Sequence, residues 1–339
     1  MSVDFRSADF PWFSTWQQLL PGLKQENLIS VAKVLAPDIA TWARAEQILP
    51  LSEETLVTIY IPLAFWVQAQ ASMCQRPVII GLNGAQGSGK STLSGLLKLI
   101  LERGLQTPTA VLSLDDLYKS HADRQQMAVK THPLFANRGV PGTHDTALGC
   151  QAFTQLKARQ DAVFPRFDKK AAQGSGDRLP EAQWTRVPKD TQVVLFEGWF
   201  VGAAPLMESD LMASPNRRET LEDPQGIWRQ HWNQALATDY QTLFGFLDRL
   251  IVLQIPGMKT VYRQREEQEA KLRLSVSGSS DSTAGAMTPA QVENFIALFE
   301  RLTQYQLSTL PLTADLLFRV DDQHQITHLQ PKGVKLSRL

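Results

Sequence analysis

The sequence predicts an α/β fold: a doubly wound, mostly parallel sheet flanked by helices and preceded by a helical N-terminal extension. Three observations carry this. Short apolar runs rich in β-branched residues recur at 77–84, 109–116, 191–199, 248–255 and 314–322, and near-continuous apolar runs of this length are what strands buried on both faces require. Helical patterns separate several of them, notably 91–104 and 289–310, and strands alternating with helices imply parallel pairing. A glycine-rich turn joins the first strand to the first of these helices.

Each element has its own justification. Residues 1–72 read as the extension: 20–50 carries apolar residues at three- and four-residue spacing punctuated by prolines, and 52–70 opens on Ser52, a plausible N-cap, with Glu53 and Glu54 in the first turn. Residues 73–339 form the main domain. The first helix after the glycine turn is amphipathic and stops at Gly104. Residues 119–147, rich in His, Pro, Gly and Arg, read as irregular, and 275–288 as a flexible Ser/Gly stretch. In such sheets ligands bind beyond the carboxyl ends of the strands. The polar residues at those ends are Gly84 onward, Asp115 with Asp116, and Glu197.

Composition excludes several classes. Lys plus Arg (34) balance Asp plus Glu (34), so whole-chain charge gives no support for a nucleic-acid partner. Cys74 and Cys150 are too few for a disulfide framework and lie in no CxxC. The first sixteen residues lack a basic start followed by an apolar run, and the most apolar stretch, 59–67, is broken by Pro62 and is far too short to span a bilayer. A soluble cytoplasmic protein with no membrane partner is expected. His324 and His328 fall in a terminal loop with no partner at zinc spacing and receive no role.

The chemistry begins at Gly84-Ala85-Gln86-Gly87-Ser88-Gly89-Lys90-Ser91, followed by Thr92, which fits G-x-x-x-x-G-K-[ST] between a strand and a helix. Glycines let backbone N–H groups turn inward around phosphate oxygens, and the helix N-terminus adds partial positive charge. Lys90 is expected to reach the β- and γ-phosphates of ATP, and Ser91 to ligate Mg²⁺. This predicts the P-loop NTPase fold. Asp115 and Asp116 close the second strand. They could cap the next helix; beside a phosphate loop Asp115 is favoured as the base that accepts a hydroxyl proton, with Asp116 left as cap or support. Glu197 ends the third strand, where a carboxylate would hold Mg²⁺ directly or through water; a merely solvated strand end is the alternative.

Two loop segments, 137–145 and 165–178, supply Arg138, His144, Asp145, Arg166, Lys169, Lys170 and Arg178. Taken singly, loop charges are mostly solvated, and His144 could be structural; if they converge, they form a pocket for an anionic substrate. The helix 261–273 is either an exposed helix laced with pairs such as Glu267–Lys271 and Glu269–Arg273, or a lid, around 259–288, whose arginines, Arg263, Arg265 or Arg273, close on the triphosphate. The lid reading is preferred beside a phosphate loop.

GxxxxGKST at 84–92, SLDDLY at 113–118, NRGVPGTHD at 137–145, PRFDKKAAQGSGDR at 165–178, LFEGWFVG at 195–202 and VYRQREEQEAKLR at 261–273 together resemble the D-glycerate 3-kinases, relatives of uridine kinase, phosphoribulokinase and pantothenate kinase. The likeness covers roughly residues 76–322. It implies transfer of the ATP γ-phosphate to the 3-hydroxyl of D-glycerate, a closing step of photorespiration in photosynthetic organisms. It matches Asp115 to the base, Glu197 to the acid after the third strand, and the three arginines to the lid. A small cationic pocket poor in aromatics also suits a short acid better than a nucleoside. The alternatives are a related kinase acting on a nucleoside, pantothenate or a sugar phosphate, and a regulatory ATPase that phosphorylates no small acceptor.

Overall fold

The computed structural model describes residues 11–48, 51–276 and 287–333, the side chains of 268 and 271–276 excepted. Its central sheet has six strands: β1 (Val78–Gly84), β2 (Thr109–Ser113), β3 (Val193–Gly198), β4 (Arg249–Gln254), β5 (Leu316–Val320) and β6 (Ile326–Pro331). Their order is β2-β3-β1-β4-β5-β6. The first five run parallel and are the five expected; β6 returns antiparallel along β5. His328, expected in a loop, therefore lies on an edge strand. That strand buries only Leu329 and Pro331 and is broken by a bulge between Ile326 and His328, so it lacks the apolar run that marks the others.

Alternate residues of the parallel strands feed two cores. Val78, Ile80, Leu82, Val193, Leu195 and Ile251 enter one cluster, while Ile79, Val194, Phe196 and Leu112 enter the other. This is why the strands read as continuously apolar: both faces are covered. The first cluster is closed by α1 (Gln25–Ala45) and α2 (Ile61–Ser72) of the N-terminal region and by α3 (Lys90–Leu99) after the glycine turn. Trp16, Leu28, Leu35, Val57, Trp66 and Val67 pack there with the strands in one continuous core; each such side chain stabilises by about 1.5–3 kcal/mol when fully buried. Ser52 caps its helix as expected, accepting from Thr55 N–H at 3.0 Å. The second cluster is closed by Phe153, Leu156, Trp228, Trp232 and Tyr240.

Two expectations need correction. Residues 119–147 are not wholly irregular: α4 (His121–Lys130) lies within them, capped by Ser120, which accepts from Asp123 N–H at 3.1 Å. Its only fully buried residue is Arg124, so it has no apolar stripe to betray it. The 289–310 pattern, read as one helical run, divides at Leu298 and Phe299 into α6 (Pro289–Ala297) and α7 (Glu300–Thr313). Between β4 and α6 runs α5 (Met258–Val276), the expected lid helix; residues 277–286 of the Ser/Gly stretch lie outside the described residues. Cys74 and Cys150 are free thiols. Among the described residues no helix is long and apolar enough to cross a membrane.

Candidate active site

Parallel register brings three strand ends to one level. Glu197 of β3 pairs with Leu82 of β1 on one side and with Ser113 of β2 on the other. The phosphate loop therefore leaves β1, the Asp115 turn leaves β2 and the Glu197 carboxylate leaves β3 side by side. Gly87 and Gly89 have φ of 82° and 87°, a conformation that side chains with a Cβ rarely adopt. Gly87 is further constrained by Gln264 of α5: a Cβ there would lie 2.7 Å from the Gln264 side chain. The helix expected to act as a lid thus rests on the phosphate loop through Gln264. Lys90 opens α3, Ser91 and Thr92 follow it, and Ala85 accepts from Ser88 N–H at 3.1 Å to close the turn. Buried in the same loop, Gln86 Oε1 and Ser88 Oγ have no hydrogen-bond partner.

Ser91 Oγ stands 3.4 Å from Glu197 Oε1, and Glu197 Oε2 is buried without a partner among the described residues. An orphaned carboxylate oxygen beside a serine hydroxyl is a fitting donor set for Mg²⁺, which takes one or two protein oxygens and completes its octahedron with phosphates and water.

On the other side, the expected cations converge. A short ribbon pairs Phe167–Asp168 with Asp177–Arg178, folding the basic segment back on itself over the turn Leu114–Leu117. From this ribbon Lys169 Nζ donates to Asp115 Oδ2 at 2.6 Å, and Arg166 donates to Asp116 Oδ2 at 2.6 Å. Arg178 donates to Tyr118 O at 2.9 Å and to Asp145 Oδ2 at 3.3 Å. Arg138 donates to Gly174 O at 2.8 Å and lies over the Phe167 ring, as Arg124 does. Arg166 and Arg178 are thereby engaged with protein carboxylates. Arg138 and Lys90 have no carboxylate at ion-pair distance among the described residues.

The two neighbouring aspartates are driven apart. Burial pushes Asp115 up, but the ammonium groups of Lys169 and Lys90 outweigh it and hold the carboxyl below its ordinary value. For Asp116 burial wins over Arg166, and the carboxyl lies above its ordinary value. The two carboxyls are thus shifted in opposite directions, Asp115 toward its ionised form and Asp116 away from it.

His144 is positioned by a short antiparallel contact in which Lys119 N–H donates to Thr143 O at 2.9 Å and Asp145 N–H to Leu117 O at 2.7 Å. Its ring stacks on Tyr118, centroids 4.3 Å apart, and its Nδ1 is 2.6 Å from the Tyr240 hydroxyl. Burial pushes the imidazole down to about 3 in spite of the Asp115 charge, so the ring is neutral.

The arginines of α5 diverge. Arg263 faces outward to Asp322, at 3.0 Å, and to Glu267. Arg265 turns inward, pairs with buried Glu269 and lies over Phe295; burial lowers its pKa, and among nearby charges Arg138 lowers it further. Of the two arginines expected to act from this helix, Arg265 is the one whose charge is felt by Arg138 of the loop segments, while Arg263 lies on the exposed face. The pairs expected at Glu267–Lys271 and Glu269–Arg273 involve side chains outside the described ones.

Reading the sequence alone missed Tyr118, Phe167, Tyr240 and Gln264. Tyr118 and Phe167 sit inside motifs already singled out. Gln264 lies in the charged lid helix, where a neutral residue, buried here, was the available signal. Tyr240 is 96 residues from His144, and nothing local marks it.

A phosphate loop, a carboxylate fit for Mg²⁺ and an ionised aspartate at the ends of adjacent parallel strands define the class as a P-loop kinase. No protein-family model matches the chain. It is 38% identical over 214 residues to mug58 of Schizosaccharomyces pombe, described as an uncharacterized kinase, covering 61% of this chain and 75% of that one. It is 27% identical over 266 residues to the chloroplastic D-glycerate 3-kinase of Arabidopsis thaliana, covering 74% of this chain and 54% of the relative. The solved structure of a D-glycerate 3-kinase from Cryptococcus neoformans superposes with a TM-score of 0.66 at 27% identity, over 79% of this chain and 97% of that one. The chain belongs to the P-loop kinase family that includes the fission-yeast kinase and the D-glycerate 3-kinases.

Proposed function

We propose that the chain transfers the γ-phosphoryl group of ATP to the 3-hydroxyl of D-glycerate. The observation that carries this reading is Asp115, kept ionised by Lys169 and Lys90 at the foot of a ribbon of cations. Lys90 and the amides of 84–91 hold the triphosphate. Mg²⁺ held by Ser91 and Glu197 would offset charge on the phosphate oxygens. Asp115 orients the hydroxyl and takes its proton as the oxygen bonds to the γ-phosphorus; the bond to the bridging oxygen breaks and ADP leaves. Arg138, with no carboxylate of its own and with Arg265 near, suits the carboxylate of a short acid. The lid around 259–288 excludes water that would hydrolyse ATP.

The test is ADP release over a panel of D-glycerate, L-glycerate, pantothenate, uridine and a sugar phosphate, with NMR identification of the phosphorylated hydroxyl. D-Glycerate should turn over at roughly 1–100 per second, and ATP alone should be nearly stable. A higher kcat/KM for another acceptor would replace glycerate; equal ATP consumption without acceptor would replace the kinase by a regulatory ATPase.

A further inference from the structure

The His144 ring is buried, yet only one of its nitrogens is satisfied. Nδ1 meets the Tyr240 hydroxyl, whereas Nε2 is buried with no partner among the described residues. Nearly all buried polar groups in folded proteins are paired, so such an orphan asks for an explanation.

Proton accounting fixes the tautomer. The Tyr240 oxygen accepts from Gly142 N–H at 2.9 Å. Its single proton then has one acceptor within reach, His144 Nδ1, since Tyr240 is itself buried. If the imidazole donated instead, the phenol O–H would be the orphan, at a cost of about 1–3 kcal/mol. With Tyr240 donating, Nδ1 carries the lone pair and the proton of the neutral ring sits on Nε2. The main-chain bonds of Thr143 and Asp145 to the 117–119 segment hold the backbone at His144, stacking on Tyr118 holds the plane of the ring, and the Tyr240 contact sets which edge faces it. Asp115 is the anion whose charge acts most on this ring.

We infer that His144 is a specificity-determining residue whose Nε2–H donates a hydrogen bond to an oxygen of the hydroxy-acid acceptor beside Asp115, and that Tyr240 is the positioning residue that fixes the donating tautomer. The inference rests on the kinase reading for the identity of the acceptor, but not for the tautomer. A donor on this side complements Asp115, which can only accept. An acceptor that lacks an oxygen there leaves a buried N–H unpaired, and sites built in this way reject such analogues strongly.

The experiment uses the full chain in two independent arms. Nitrogen NMR of protein labelled at histidine reads the tautomer without any acceptor. The neutral Nε2–H form is expected for His144 in the wild type, and a mixture of tautomers in Tyr240→Phe. The Nδ1–H form in the wild type would overturn the inference. In the second arm, His144→Phe should raise KM for the acceptor about tenfold or more and leave KM for ATP unchanged, and His144→Gln, which keeps a donor, should recover part of the loss. An unchanged acceptor KM in His144→Phe would also overturn it. If His144→Phe does not fold, His144→Gln and Tyr240→Phe decide, with acceptor KM raised in both and ATP KM in neither. Failure of glycerate in the acceptor panel would leave the tautomer result standing, so the two failures are distinguishable.

Discussion

Two charged clusters in this protein answer opposite requirements. One lies behind the second core: Arg301 pairs with Glu219 at 3.1 Å, and Arg229 with Asp223 at 3.1 Å. Further donors of the two arginines end on the carbonyls of Asp210, Leu211, Ala213 and Asp223. Its carboxylates are almost sealed, Glu219 being 3% and Asp223 1% exposed. Two cations meet two anions, and the arginines' donors end on protein acceptors. The other cluster surrounds Asp115. Its ion pairs are partly open, with Lys169 59% exposed, and among the described residues it keeps Arg138 and Lys90 without carboxylates and His144 Nε2 without any partner. A charge group complete in itself holds a fold together. One with donors to spare is built to receive something.

The contrast can be broken by mutation. The largest effect belongs to the open cluster: Lys90→Ala should lower kcat about 10²–10³-fold, and Asp115→Asn about 10²–10⁴-fold, with melting temperatures close to wild type. Near-normal turnover in Asp115→Asn would remove it as the base. The closed cluster should behave inversely. Arg301→Met takes from the buried Glu219 carboxylate its hydrogen-bonded partner, leaving Arg229 at 3.7 Å, and should cost about 3–5 kcal/mol in urea unfolding, while the protein that remains folded keeps its kcat; a large loss of turnover in folded protein would erase the distinction. Lys169→Met sharpens the comparison. With that ammonium gone burial dominates, the Asp115 carboxyl rises, and a larger fraction is protonated at any given acidic pH. The acidic limb of kcat/KM should therefore move to higher pH, and a limb that stays in place would show that Lys169 does not hold the base ionised. The smallest effect is expected from Arg263→Ala: its pairs with Asp322 and Glu267 are exposed and contribute little, and kcat should change by no more than a few-fold. A hundredfold loss there would assign the lid role to Arg263.

How much of this could be read in advance follows the same division. The five parallel strands and the phosphate loop were legible because their cause is local: both-face burial writes a continuous apolar run, and a phosphate cradle needs glycine at 87 and 89. The clustering of Arg138, Arg166, Lys169 and Arg178 was conditional in the sequence, because it depends on a two-residue ribbon, Phe167–Asp168 on Asp177–Arg178, too short to leave a period. α4 was hidden because its buried face is a single arginine rather than a stripe, and β6 because only Leu329 and Pro331 of its six residues are buried. The opposite shifts of the Asp115 and Asp116 carboxyls left no mark in the sequence; they depend on which ribbon cation reaches which carboxylate, a matter of tertiary geometry.

The core shared by the N-terminal helices and the sheet has a consequence during synthesis. Trp16, Leu28, Val57 and Trp66 bury against Val78, Val193, Leu195 and Ile251, yet residues 1–72 leave the ribosome before any of these strands. At ordinary elongation rates the wait until β4 is made is on the order of ten to forty seconds. Through that interval the nascent N-terminal helices carry tryptophan and leucine surface that the sheet does not yet cover.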